Sequence, residues 1–300
     1  MFYEVLDFLK MNDVNYKENV KLADISPIKI GAVAKTVLYP DSEKKLILVL
    51  RFLRKAKIPY KILGRMSNVL PPDNEYTRVV IRTDLISDYS VSDGLLFAGC
   101  GATLPSLAFK MADLGYSGLE ELSGIPGSIG GALVGNAGAF GREISELVSA
   151  VRVFDLSSFE TLNLKAEDFD FSYRSSGLNT DRYVVLSVGL KTIQSDRENV
   201  KAATVNYKEI RRKTQPVGEL SLGSTFKRPG DGLFAAKMID ECGLKGKSVG
   251  GAMVSKKHAG FIINSGGASA RDYIELSEQV IDIVFKKFRI RLEREVEILG

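Results

Sequence analysis

The sequence predicts a mixed α and β chain of two or three compact units, and three observations predict it. Strand-like and helix-like stretches alternate from about residue 28 onward. Composition shifts after about residue 195, where a charged helical stretch and the breaker Thr214-Gln215-Pro216-Val217-Gly218 open a last domain. The 300 residues, 45% hydrophobic and 26% charged, can bury a core without disulfide or metal staples.

Taken in order, Val5, Phe8 and Leu9 give an apolar-periodic opening, and Ile28 to Pro40 reads as extended chain closed by a proline. From Ser42 to Lys55, Leu46, Val49, Leu50 and Leu53 recur at helical spacing, with Lys44, Arg51 and Lys55 opposite. Tyr60–Leu63, Arg78–Arg82 and Leu95–Ala98 are further strands; a polar turn, Gly64-Arg65-Met66-Ser67-Asn68, follows the first of them. Thr103 is placed to cap a helix that has Pro105 just inside its start and Gly115 at its end. Gly141 to Leu147 reads as a short helix, and Ala150–Phe154 and Tyr183–Lys191 as strands. Beyond them come helices over Asn199–Arg212, Leu233–Cys242 (stopped by Gly243) and Ser269–Phe288, the last with Asp272 at the capping-box position. Glu295–Leu299 alternates as a terminal strand. No repeat of fixed period and no low-complexity tract interrupts this order.

Composition excludes several functions. Cys100 and Cys242 lie far apart and form no CxxC pair, so neither a disulfide framework nor a thiolate metal site is indicated, and a reducing cytoplasm fits best. The single histidine, His258, removes imidazole-rich zinc sites and leaves a structural role as its expected one. The amino terminus carries acids where a secretory signal carries bases, and no stretch has membrane-spanning length. A net charge of +4, with bases clustered only at Arg211-Arg212-Lys213, argues against nucleic acid and for an acidic small molecule. Gly99-Cys100-Gly101-Ala102-Thr103-Leu104 resembles a dinucleotide fingerprint but has Leu104 in place of its third glycine.

The most informative stretch is Ser123 to Phe140, in which six of eighteen residues are glycine. So many missing Cβ atoms let backbone amides press against a large planar or phosphorylated ligand. Flexible linkers share the glycine but not the interleaved Ile125, Ile129, Ala132, Leu133 and Val134, so an ordered ligand loop is the reading. Three other places stand out by residue type. Tyr173-Arg174-Ser175-Ser176 offers a guanidinium among hydroxyls, or else an ordinary surface loop. Gly223-Ser224-Thr225-Phe226-Lys227-Arg228-Pro229 offers a hydroxyl with two cations, or again a plain loop. Glu295 lies in the terminal strand, where a solvent-facing acid is the default. Spacing alone brings none of these together.

These motifs, in this order, resemble one family. Ser123-Gly-Ile-Pro-Gly-Ser-Ile-Gly-Gly-Ala132 with Asn136-Ala-Gly-Ala139, Tyr-Arg-Ser-Ser at 173–176, Gly-Ser-Thr-Phe-Lys-Arg-Pro at 223–229, Cys242-Gly-Leu-Lys-Gly246, Lys257-His258-Ala259 and Leu292-Glu-Arg-Glu-Val296 are similar to the UDP-N-acetylenolpyruvoylglucosamine reductases, from about residue 25 to the carboxyl terminus. The length resembles the shorter, type II form. The resemblance implies an α+β fold: a two-subdomain FAD-binding module of the vanillyl-alcohol oxidase (PCMH) type, over 1–83 and 84–195, and an α+β substrate-binding domain over 196–300. It implies FAD as cofactor and NADPH as co-substrate, with the enolpyruvyl group of UDP-N-acetylglucosamine enolpyruvate reduced to UDP-N-acetylmuramate for peptidoglycan. Partners are then these small molecules, with no nucleic acid and no membrane; a monomer is one option for the assembly.

Carried over motif by motif, Arg174, Ser224 and Glu295 become the catalytic residues. The cofactor contacts become Gly64, Ser67, Asn68, Gly124, Ile125, Pro126, Gly127, Ser128, Gly131, Asn136 and Gly138. Tyr173, Lys213, Lys227 and Arg228 become substrate contacts, and no metal is implied. Three positions depart from the family pattern: Met66 replaces a glycine, Lys29-Ile30-Gly31-Ala32 stands for Arg-x-Gly-Gly, and Arg294 replaces a proline. If position 66 needs positive φ, the methionine costs about 1 kcal/mol there. The altered loop keeps a second reading in view, an FAD- or nucleotide-binding paralogue with little turnover.

Overall fold

The computed structural model describes residues 2–230 and 232–300. Two compact units emerge. The first comprises residues 1–18, 36–65 and 78–210; the second comprises 19–35, 66–77 and 211–300.

The first unit is built on two sheets sharing one core. The strands Asn15–Lys21, Val33–Tyr39, Val79–Arg82 and Tyr60–Leu63 lie in that order, with Val37 parallel to Val80 and Tyr60 parallel to Val79. Parallel neighbours require a crossover, and the helix Glu43–Lys55 supplies it: Ser42 Oγ accepts from Lys45 N, and Leu46, Val49, Leu50 and Leu53 are wholly buried. The second sheet is antiparallel, ordered Thr161–Lys165, Val148–Asp155, Tyr183–Lys191, Leu95–Gly99 and Tyr89–Ser92. The helix Leu104–Leu114 starts on Thr103, which accepts from Ser106 N, and ends at a left-handed Gly115, as the sequence indicates. Gly101 is glycine because a Cβ there would lie 1.9 Å from the Thr83 carbonyl oxygen, so the near-fingerprint is a packing feature.

The second unit has its own core. A three-stranded antiparallel sheet, Ser248–Val249, Ala252–Val254 and Ile262–Asn264, packs with the helices Ala235–Glu241 and Ala270–Phe288. Tyr273, Leu276, Val280 and Val284 face inward with Ile28, Ile30 and Leu70 from earlier in the chain. The long helix has the expected capping box of Ser269 and Asp272, and Asp73 adds both carboxyl oxygens to its first turn, accepting from Ala270 N at 2.7 Å and Arg271 N at 2.9 Å.

Some elements differ from expectation. Between Ala137 and Leu147 a hairpin pairs Gly138–Ala139 with Arg142–Glu143, followed by a single 3-10 turn at Ile144–Glu146. Phe140 and Gly141 both have positive φ, 53° and 87°, the backbone that a two-residue hairpin turn demands, and this keeps a helix from starting at Gly141. The extended chain from Ile28 shortens to Val33–Tyr39 because Lys29 is left-handed at φ 58°. The terminal strand shrinks to Glu297–Ile298, which pairs parallel with Val69–Leu70. Asn15–Lys21 and Tyr89–Ser92 are strands without a sequence signal: they are polar and mostly exposed, and as sheet edges they need no apolar alternation on both faces, whereas the edge strand Thr161–Lys165 does alternate, with Leu162 and Leu164 packed against the core.

Candidate active site

The glycine-rich stretch folds into a packed loop and a short helix, Ile129–Val134. Ser128 caps that helix, its Oγ accepting from Gly131 N, while Ile129 N and Gly130 N donate to the carbonyls of Ala102 and Cys100 at 2.8 and 2.9 Å. Ile129 and Leu133 are wholly buried, so the loop is anchored by its apolar residues, as their interleaving requires. Cys100 lies beneath it, and burial pushes its thiol up to about 12, so it serves as packing and not as a nucleophile.

Gly64 follows the strand Tyr60–Leu63 directly against this loop. A Cβ on Gly64 would sit 2.5 Å from Ser128 Oγ, a distance that leaves no room for a side chain. The glycine at 64 therefore lets two loops of the first unit approach closely, a shape suited to a large planar or phosphorylated ligand. Met66 comes two residues later at φ 56° with its side chain 2% exposed. Position 66 does need the left-handed backbone that the family pattern reserves for glycine.

Tyr173 and Arg174 are the central pair of a tight turn, closed by Ser172 N to Ser175 O at 2.9 Å and Ser175 N to Ser172 O at 3.0 Å. Arg174 has φ 58°, and its guanidinium lies 4.6 Å from the Tyr173 ring centroid. Of the residues assigned to cofactor binding, Asn136 is joined to this turn by its side-chain amide.

In the second unit the Ser224 segment runs beside the end of the chain. Glu295 N donates to Thr225 O at 2.9 Å, Lys227 N donates to Glu293 O at 2.9 Å, and Phe226 bridges Arg294. Ser224 is exposed, whereas its neighbour Thr225 is buried, its Oγ1 accepting from Ile262 N and 3.0 Å from the Tyr273 hydroxyl. Burial holds the Tyr273 hydroxyl well above the usual tyrosine range, so it stays a neutral partner. Arg294 ties the segment to the long helix, donating from Nε to Ser277 Oγ at 2.7 Å and pairing with Glu278. An arginine thus replaces the rigidity of the family's proline with a bond of its own.

The expected substrate contacts are spread over both units. Lys227 pairs with Glu293 at 2.5 Å, Arg228 stacks 5.2 Å from the Phe234 ring centroid, and Lys213 lies in the last turn of the helix Arg197–Thr214. The three residues expected to be catalytic divide as Arg174 in the first unit, Ser224 and Glu295 in the second. His258 is half-buried; its Nδ1 accepts from Gly260 N at 3.2 Å and burial lowers its pKa, so the ring is neutral. Among the described residues no group of three metal-ligating side chains occurs and no helix is long and apolar enough to cross a membrane.

Residues 34–158 match the FAD binding domain family, and residues 215–299 match the family of UDP-N-acetylenolpyruvoylglucosamine reductase C-terminal domains. A UDP-N-acetylenolpyruvoylglucosamine reductase of Clostridium tetani is 40% identical over 286 residues, which is 95% of this chain and 92% of that one. The chain belongs to the UDP-N-acetylenolpyruvoylglucosamine reductase family. The crystal structure of a reductase of this family from Thermus caldophilus superposes with a TM-score of 0.81 at 32% identity, covering 96% of this chain and 99% of that one. Berberine bridge enzyme from Eschscholzia californica matches 64% of this chain and 44% of its own, at 15% identity and a TM-score of 0.50, a likeness of fold alone. The fold is accordingly the α+β one that the motifs implied: an FAD-binding module of the vanillyl-alcohol oxidase type with the reductase family's C-terminal domain. The cofactor of the family is FAD, and the fit of backbone at Gly64 and Ser128 agrees with it.

Sequence reasoning assigned Asn68 to the cofactor and placed Thr225 and Ser176 only inside motifs; it missed the part these residues play in holding the expected catalytic ones. Asn68, Thr225, Glu143, Ser172 and Ser176 do this through hydrogen bonds, most of them to backbone, and partners up to 227 positions apart leave no local signal.

Proposed function

We propose that this chain reduces the enolpyruvyl group of UDP-N-acetylglucosamine enolpyruvate to UDP-N-acetylmuramate at the expense of NADPH. The observation that carries the reading is the pairing of the Ser224 and Glu295 segments through Glu295 N and Thr225 O, in a chain that shares the reductase motifs end to end. FAD, when bound, would supply the hydride chemistry that couples oxidation of NADPH to reduction of the enolpyruvyl β-carbon. The backbone around Gly64 and the loop from Gly124 to Gly138 would hold it.

The chain's own side chains stabilise and protonate the reduced substrate. Hydride addition at the β-carbon leaves enolate-like charge on the α-carbon and carboxylate, and a fixed cation and a donor lower its energy. Arg174 supplies the cation. Glu295, protonated, supplies the donor, and Ser224 delivers the proton to the α-carbon. Tyr173, Lys213, Lys227 and Arg228 are the groups we assign to the nucleotide diphosphate and sugar, where forked and point cations suit phosphate oxygens. A reaction that draws on NADPH and a nucleotide sugar belongs in the cytoplasm.

The test is an anaerobic absorption spectrum of the FAD-loaded protein. NADPH should bleach the flavin bands and the enolpyruvyl substrate should restore them. A protein that cannot take up FAD, or whose reduced form ignores the substrate, overturns the reading; the second result would fit a binding paralogue without turnover.

A further inference from the structure

Asn136 has the residue type and the place of a cofactor contact, yet its side chain is fully committed within the protein. It is wholly buried, with φ 39°. Its Nδ2 donates to Glu143 Oε2 at 2.7 Å and to the Ser172 carbonyl at 2.9 Å, and its Oδ1 accepts from Ser145 N at 3.2 Å. A backbone donor on one side and a backbone acceptor on the other fix the orientation of the amide, and both of its hydrogens are used.

The Ser172 carbonyl that Asn136 holds is the same one that closes the turn bearing Tyr173 and Arg174. Beyond the turn, Ser176 N and Ser176 Oγ both donate to the Val134 carbonyl, at 3.2 and 3.1 Å. The Arg174 turn is therefore fastened on both flanks to positions 134 and 136, at the end of the glycine-rich helix. Arg174 itself sits in a left-handed backbone, which persists only where the surroundings over-determine it.

We infer that Asn136 is a positioning residue for Arg174: it acts through the Ser172 carbonyl to fix the turn that aims the guanidinium, and it makes no contact with the cofactor. A long arginine side chain launched from a fixed turn loses less freedom when it meets a carboxylate. The inference rests on the assignment of Arg174 proposed above.

The test compares Asn136→Asp, Asn136→Asp with Glu143→Gln, and Arg174→Ala, each loaded with FAD. Asn136→Asp keeps size and the acceptor for Ser145 N but removes both donors. In the double variant the new amide at 143 restores the bond between positions 136 and 143 and leaves the Ser172 carbonyl with Ser175 N but without its side-chain donor. FAD affinity and the rate of reduction by NADPH should stay within about threefold of wild type, while reoxidation by UDP-N-acetylglucosamine enolpyruvate falls about tenfold or more. The double variant should recover thermal stability and not the reoxidation rate; if Asn136→Asp alone is too unstable to purify, the double variant carries the comparison. Recovery of stability and rate together, or a fall in FAD affinity that matches the fall in rate, overturns the inference. An Arg174→Ala protein that is reoxidised at the wild-type rate overturns instead the assignment of Arg174 on which it rests.

Discussion

The side-chain amide of Asn68 donates to the backbone carbonyl of Glu295 at 3.0 Å, and Glu297 N returns a bond to the Asn68 carbonyl at the same distance. A residue of the turn after Gly64 thus clamps the segment that carries the proposed acid, and the parallel pairing of Val69–Leu70 with Glu297–Ile298 extends the clamp. One neutral hydrogen bond is worth about 1 kcal/mol, which is somewhat less than tenfold in rate if it is needed only when Glu295 engages the substrate. Asn68→Ala should therefore slow substrate-dependent reoxidation by about fivefold and leave reduction by NADPH within about twofold. Stopped-flow measurement of the two half-reactions separates these outcomes, and an equal loss in both would assign Asn68 to the cofactor instead.

Met66 sets two effects against each other. Replacing it by glycine removes a left-handed strain of about 1 kcal/mol, but it also empties the space of a side chain that is 2% exposed, and truncating a buried methionine costs about 2 to 5 kcal/mol. Burial wins. Met66→Gly should lower the melting temperature by several degrees although it restores the family's residue, and a variant as stable as wild type would show that the methionine packs to no advantage.

The difference between legible and illegible features comes from range. Helices such as Glu43–Lys55 and Ala270–Phe288 announce themselves because apolar spacing and caps lie within a few residues. The ligand loop is legible because Ile129 and Leu133 interrupt its glycines, and an anchored loop needs both. The left-handed backbone at position 66 is legible only as a conflict, a methionine where glycine is usual. The support of the site is not legible: Asp73 reaches a helix 197 positions on, and Asn68 reaches Glu295 across 227, so their partners exist only after folding. Arg174 is readable as a guanidinium among hydroxyls, but nothing nearby marks Asn136 and Ser176 as its anchors.

Asp155 offers a pH-dependent test of the first unit. Arg182 donates to its Oδ2 from Nη2 at 2.8 Å and Nε at 3.1 Å, Ser157 N donates to Oδ1 at 2.7 Å, and these bonds hold the carboxyl at about 2, below its ordinary 3.8. A carboxyl lowered on folding adds stability that is complete above its unfolded pKa and disappears as pH falls through the folded one. Asp155→Asn should be less stable than wild type at pH 7, with the difference closing between pH about 4 and about 2. Thermal melts across that range check it, and a difference that stays constant with pH would mean that the carboxyl's charge contributes nothing.

Ser224 carries the prediction that bears most directly on chemistry. It is exposed, on a segment fixed by the buried Thr225 hydroxyl and by backbone bonds to Glu293 and Glu295. Proton delivery to the α-carbon is needed only after hydride has left the reduced cofactor, so reduction by NADPH has no use for the Ser224 hydroxyl. General acids contribute about 10² to 10⁴ in rate. Ser224→Ala should then be reduced at nearly the wild-type rate and be reoxidised by the enolpyruvyl substrate at least about a hundredfold more slowly. Ser224→Cys, which still carries a proton, should regain part of that loss. An alanine variant impaired equally in both half-reactions would place Ser224 in binding or folding, and the proton would have to come from another group.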